Sequence, residues 1–273
     1  MDDAQGPPPV DRTLELLWRH QAGRPQGSRG PRQRVSVDEV IAAAIALADD
    51  EGLAALSMRK VAQRLGLGAM SIYTYVPGKN ELVGLMVDEV AGEVDYPEHT
   101  GDLRARMIAV ARQSWDEYHR HPWLLHAQKA RPWIGPNGSA RFEWQLQAIE
   151  GVGLDDLEMD NTIAVLTGFA ESSARASIEA AGARTESGLT DLQWWEINAP
   201  VLERLMAGSD FPLSSRVGQA AGQAYESIGD AARSFDFGLA RIIDGIELLL
   251  HGRPGPGVER PGPRVERPEP GSR

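Results

Sequence analysis

Four cations stand in a window that holds no acid. Between Gly52 and Asn80 the chain carries Arg59, Lys60, Arg64 and Lys79 but neither Asp nor Glu. The whole protein has a formal net charge of -11, so this local excess needs a local reason. The chemistry such a window offers is the binding of phosphate. The acidic balance elsewhere argues against a chain that coats nucleic acid non-specifically. It leaves room for one small, focused basic site.

The elements that must position these cations read as helix, tight turn, helix. Ser57 caps a helix whose buried stripe is Val61, Ala62 and Leu65. Ala62 is small where a crossing helix must come close. Gly66 permits a sharp left-handed turn. A short helix over 69–75 follows with Ile72 pointing inward, and Pro77 disfavours helix at Val76 and ends it. Small Ala62, Gly66 four residues on and Ile72 six further match helix-turn-helix spacing.

Helices flank this motif. One starts at Ser36, which has capping-box spacing to Glu39. Val40, Ile41, Ala44, Ile45, Leu47 and Ala48 give it a broad apolar face, and Gly52 sits where its C-terminal cap belongs. The other, 80–94, is apolar over a wide face and reads as buried between two layers. Lys79 lies at its N-terminus, where free amides and the helix dipole favour an anion.

Beyond a loop at 96–101 every long segment has helical period: 102–120, 123–130, 139–151, 156–181, 192–206 and 226–251, with loops at 136–138 and 182–190. No long segment has β period, so the fold class is all-α. The first 34 residues read as largely unstructured, with Leu14–Trp18 able to form one or two helical turns. Arg24, Arg29, Arg32 and Arg34 make the end of that segment basic. It is either a solvated tail or an arm that touches the DNA minor groove or backbone. The Pro- and Gly-rich stretch 252–273 reads as a disordered tail.

Composition narrows the function classes. The chain is 42% hydrophobic and 25% charged, as a globular protein is. With no cysteine there is no disulfide, thiolate catalysis or cysteine-ligated zinc. No apolar run approaches the ~20 residues of a membrane span. The acidic, proline-rich start is not expected to be a secretory signal, and the expected location is cytoplasmic. His119, His121 and His126 tempt a metal or enzyme reading. Their i, i+2, i+7 spacing does not share a helix face, and Pro122 interrupts the run. There is no phosphate loop, nucleophile elbow or HExxH. Neither an enzyme nor a metal or cofactor is expected.

The run from Val40 to Val90 resembles the DNA-binding domain of tetracycline-repressor (TetR) family regulators. The residues that carry the resemblance are Glu51-Gly52-Leu53, Ser57-Met58-Arg59, Ala62, Leu65-Gly66, Ser71-Ile72-Tyr73, Val76, Lys79 and Glu81-Leu82. It implies a three-helix helix-turn-helix domain at 35–95 (motif 57–77) and a larger ligand-binding and dimerisation domain at 96–251, after a flexible basic arm at 1–34. It implies a homodimer on a palindromic operator, most often a repressor released by a small molecule. The DNA-facing residues it implies are Ser57, Arg59, Lys60, Ala69, Met70, Ser71, Tyr73, Thr74, Tyr75 and Lys79. Ala69 and Met70 are apolar and suit a thymine methyl. Tyr75 stands where an aromatic often contacts backbone.

The effector expected is bulky and partly aromatic, with Trp115, His119, Trp123, His126, Phe142, Gln145 and Phe169 as candidate contacts. For each aromatic taken singly, core packing is the competing role. His126 falls on a histidine that helps hold a drug-bound Mg²⁺ in the tetracycline-binding subgroup. The other polar drug contacts are not kept, at Asp95 and Ile108, so tetracycline is not the expected ligand. Helices 156–181 and 226–251 are expected to form the dimer interface as a four-helix bundle. A rival of another class is an all-helical small-molecule-binding protein or enzyme whose basic helix pair is incidental.

Overall fold

The computed structural model describes residues 9–21, 34–127, 133–206, 211–225, 227 and 229–251. Among them every regular element is helical. In chain order these are α1 (Pro9–Leu17), α2 (Val37–Glu51), α3 (Met58–Arg64), a 3-10 turn (Ser71–Thr74) and α4 (Lys79–Ala91). Then come α5 (Leu103–Arg120), α6 (Leu124–Ala127), α7 (Pro136–Gln147), α8 (Asp156–Ser187), α9 (Asp191–Leu205), α10 (Pro212–Tyr225) and α11 (Ala231–His251). Among the described residues no helix is long and apolar enough to cross a membrane.

Two cores organise the molecule. The first joins α1 to α4 with Trp123, Leu124 and Ala127. The second joins α5, α7, α8 and α11 around Met107, Trp115, Leu166 and Phe235. Local chemistry places the helix ends. The Ser36–Glu39 capping box forms in both directions, with Glu39 N–H donating to Ser36 Oγ (3.1 Å) and Ser36 N–H to Glu39 Oε2 (2.6 Å). The Asp155–Glu158 pair forms the same box at α8, and Asp102 caps α5 by accepting from Ala105 N–H.

The expectation of a flexible arm over 1–34 is corrected in its first half. Pro9–Leu17 is a helix, and Thr13 and Leu17 are buried against the first core. Burial of Leu17 is the tertiary gain that an isolated proline-rich segment does not reveal. Arg34 is exposed, whereas Arg24, Arg29 and Arg32 lie outside the described residues, as does the expected tail 252–273.

Three further boundaries differ from expectation. The segment 136–138, expected as a loop, is the first turn of α7. Pro136 sits at its start, where the missing N–H costs nothing. α8 runs on through 182–187, expected as loop, and ends at Gly188. α10 was not foreseen. Neither α9 nor α10 carries a buried residue, and Trp194, Trp195, Ile197 and Val217 are exposed.

The two cores are tied together at several points. His121, at the end of α5, bridges Asp49 (Nδ1, 2.8 Å) of α2 and Glu93 (Nε2, 2.9 Å) just past α4. Trp123 Nε1–H donates to the same Asp49 oxygen at 2.8 Å. Buried Asp88 of α4 accepts from Gly138 N–H of α7 at 2.8 Å. The N-cap of α7 is Gly135, which has no side chain to offer, so α4 caps α7 from the other core.

Candidate nucleic-acid interface

Ser57 Oγ accepts from Lys60 N–H at 3.3 Å, which starts α3 beneath the motif. Val61 and Ala62 are fully buried against the neighbouring helices. Gly66 has φ +65, the left-handed region in which a Cβ is strained, and Leu67 N–H reaches back to Ala62 O at 2.8 Å. The chain then reverses. The expected short α-helix over 69–75 is a 3-10 turn over Ser71–Thr74. The segment lies between Gly68 and Pro77, too short for a run of α-type bonds. Ile72 is buried beneath it, as the spacing requires.

Ala69, Met70, Ser71, Tyr73 and Thr74 are all exposed around this turn. Met70, 78% exposed, is a large apolar side chain held out into solvent at the front of the motif. Tyr75 is corrected: its ring is buried in the first core and does not stand on this face. The residue follows the turn directly and shares the first core with Ile72. Thr74 Oγ1–H donates to Ser71 O at 2.7 Å and so tightens the turn internally.

The four cations divide in two. Lys60 Nζ–H donates to Glu51 Oε2 at 2.7 Å, and Arg64 pairs with Asp50 at 3.0 Å. Both acids lie at the end of α2, just outside the acid-free window. Arg64 is thus ion-paired, and Lys60 is not free for phosphate alone. Arg59 and Lys79 are exposed. Lys79 opens α4, and its Nζ–H donates to Leu53 O at 3.2 Å, which holds the ammonium beside the helix start.

The expected effector contacts fall into separate places. Trp115 stacks on Phe235 with ring centroids 4.4 Å apart, and Phe169 stacks on the same ring at 5.9 Å. His119 packs on Trp115 at 4.5 Å, and its Nε2 lies 3.1 Å from Ser177 Oγ. Trp115, Phe169 and Phe235 lie within one core of α5, α8 and α11, and His119 is exposed at its edge. Trp123 belongs to the other core, and its role as a convergent contact with Trp115 is not what the geometry offers. His126 is exposed on α6, Phe142 is exposed on α7 and Gln145 is buried behind it. A cleft of about 460 Å³ opens elsewhere, between Leu17–Gln21, the end of α4 and Pro136–Asn137. Sequence spacing had no signal for it, because its walls come from three distant segments.

A compact helix-turn-helix fixed through α4 to a second helical core defines a class: ligand-responsive, DNA-binding transcription regulators. Known proteins place the chain within it. The description "Bacterial regulatory proteins, tetR family" matches residues 40–86, and "Tetracyclin repressor-like, C-terminal domain" matches residues 97–250. The HTH-type transcriptional repressor DrrR1 of Streptomyces coeruleorubidus is 39% identical over 255 residues, covering 93% of this chain and 91% of that protein. Tetracycline repressor protein class E of Escherichia coli is 30% identical over 109 residues, 37% of this chain and 47% of that protein. Apo ActR of Streptomyces coelicolor superimposes with a TM-score of 0.62 at 25% identity, over 82% of this chain and 99% of that one. ActR in complex with actinorhodin gives 0.60 at 26% identity, over 78% and 96%. The chain belongs to the TetR family of transcription regulators.

Proposed function

We propose that the protein acts in the cytoplasm as a homodimeric repressor of a palindromic operator and is released by a bulky, partly aromatic small molecule. The observation that carries the repressor reading is the near full-length similarity to a transcriptional repressor. The similarity to ActR bound to actinorhodin supports a small-molecule effector of this kind. Apolar side chains left exposed on α8 and α11, among them Val165, Phe237, Leu248 and Leu249, support a dimer face on these helices.

On this reading Ser71, Tyr73 and Thr74 face base edges, while Ala69 and Met70 meet thymine methyl groups. Ser57, Arg59 and Lys79 hold phosphate. Lys60 contributes less because Glu51 already pairs with it. The two 3-10 turns of the dimer must then stand about 34–36 Å apart to enter successive major grooves. A small molecule that binds better to a state with another spacing lowers operator affinity by that same differential. The effector site is built from Trp115, His119 and Phe169, with Phe235 as the central ring. His126, Phe142 and Gln145 are peripheral to it, and the domains divide at 35–95 and 96–251, with Trp123, Leu124 and Ala127 reaching across into the first core.

The test is binding to duplex DNA from upstream of the protein's own gene, by fluorescence anisotropy, with light scattering for oligomeric state. The expected result is a dimer that binds this duplex in preference to a scrambled one. A monomer, or equal affinity for both duplexes, overturns the reading.

A further inference from the structure

The 3-10 turn is four residues long and ends on a carbonyl that its own bonds leave over. Ser71 O accepts from Thr74 Oγ1, and Ile72 O accepts from the amides of Tyr75 and Val76. Thr74 O accepts from elsewhere: Arg12 Nη2–H of α1, at 3.0 Å and 62 positions away in sequence. The donor is a guanidinium, so the bond is charge-assisted.

α1 is itself held on three sides. Leu17 and Thr13 are buried against the first core. Arg19 binds Asp38 of α2 through Nε (2.7 Å) and Glu89 of α4 through Nη2 (3.0 Å). Its partner Asp38 is partly buried, which raises its pKa, but the bonds from His20 and Arg19 outweigh this and hold the carboxyl below its ordinary range. Trp18 Nε1–H donates to Ile134 O at 3.0 Å, in the segment that leads into α7. A nine-residue helix spans about 13 Å. Arg12, in the middle of α1, therefore touches the reading turn, and Trp18, just past its C-terminus, touches the segment that leads into α7.

We propose that α1 is a positioning brace for DNA recognition. Arg12 fixes the far end of the 3-10 turn through the Thr74 carbonyl, and Trp18 refers that position to the α7 side of the molecule. Arg12 acts through backbone rather than through phosphate. This rests on the reading of the 3-10 turn as the DNA-reading element.

The test uses the full chain and a duplex that the protein itself selects from a random-sequence pool. Arg12→Ala, Arg12→Lys, Tyr73→Ala and Trp18→Phe are compared, with helical circular dichroism as the folding control. Arg12→Ala is expected to weaken binding about five- to tenfold, the worth of one solvent-exposed hydrogen bond of ordinary strength. The slope of affinity against salt should stay unchanged, whereas loss of a phosphate contact lowers it by about one unit. Arg12→Lys should restore part of the affinity. Trp18→Phe should speed amide hydrogen exchange across 71–76 without loss of helix. If Arg12→Ala binds as wild type, or its salt slope falls by about one unit, the brace is wrong. Exchange unchanged in Trp18→Phe removes the link to α7. If Tyr73→Ala has no effect on binding, the interface reading itself fails and the brace falls with it. If Tyr73→Ala weakens binding but Arg12→Ala does not, the brace alone fails.

Discussion

Asp88 should be worth more as an acceptor than as a charge. Its carboxylate accepts from the amides of Gly138 and Asn137 at the start of α7, a helix whose own cap residue is glycine. Removing the acceptor in Asp88→Ala leaves these part-buried donors unpaired. Loss of a helix cap costs about 0.5–2 kcal/mol, and the loss of two bonds at once puts this case at the upper end. A chain of this size loses about 2–4 °C in melting temperature per kcal/mol, so a drop of roughly 3–7 °C is expected. Asp88→Asn keeps an oxygen acceptor and should melt close to wild type. The pH profile separates charge from acceptor. Burial, the largest influence, pushes the Asp88 carboxyl above the ordinary Asp range despite the two amides. Between the ordinary and the raised value the folded state holds a proton that the unfolded chain has released. Stability therefore falls as pH rises through that window. Asp88→Asn should flatten this part of the profile. Thermal unfolding followed by circular dichroism from mildly acid to neutral pH is the assay. An Asn variant as unstable as the Ala variant would refute the acceptor argument.

Leu17→Ala should destabilise the fold by about 2–5 kcal/mol in urea unfolding, since α1 contributes this side chain to a closed core; a solvated tail would give no change. Gly84→Ala should lower the melting temperature although alanine favours helix, because the new methyl falls inside contact distance of the Trp133 ring. Overpacking of this kind costs about 1–3 kcal/mol. Asp38→Asn should remove part of the acid sensitivity of unfolding. The stability from the Arg19 and His20 bonds is present above the ordinary Asp range and lost as pH falls through the lowered value. Leu249→Glu should shift the protein from dimer to monomer by light scattering, with loss of operator binding.

What the sequence made legible was local. Ser36 with Glu39, Ser57, Gly66 and Pro77 each act within a few residues, and each marks a boundary close to where the helix-turn-helix bends. The apolar stripes of α2, α4 and α11 follow the same rule. The unexpected features depend on partners far along the chain. α1 is a helix because α4 receives Leu17, and no spacing within a proline-rich start shows that. α10 is rich in Gly, Ala and Ser and buries nothing, so it lacks the periodic stripe that flags a helix. The resemblance puts Tyr75 at a backbone-contacting position, but a tyrosine directly after a short 3-10 turn falls into the core instead. The pairing of Lys60 and Arg64 was hidden because Glu51 and Asp50 precede the window. The scatter of Trp123, His126 and Phe142 away from Trp115 has the same cause: chain proximity around the α5–α6 bend does not imply a shared cavity.

The internal pairing of Lys60 and Arg64 bears on how the protein searches a chromosome. Each cation neutralised within the chain is one fewer to release counterions from an arbitrary stretch of duplex. The folded motif is therefore expected to grip random sequence less tightly than four unpaired cations would. Competition from the vast excess of irrelevant sites is reduced, and the time spent on the operator is set by fit at the 3-10 turn rather than by charge.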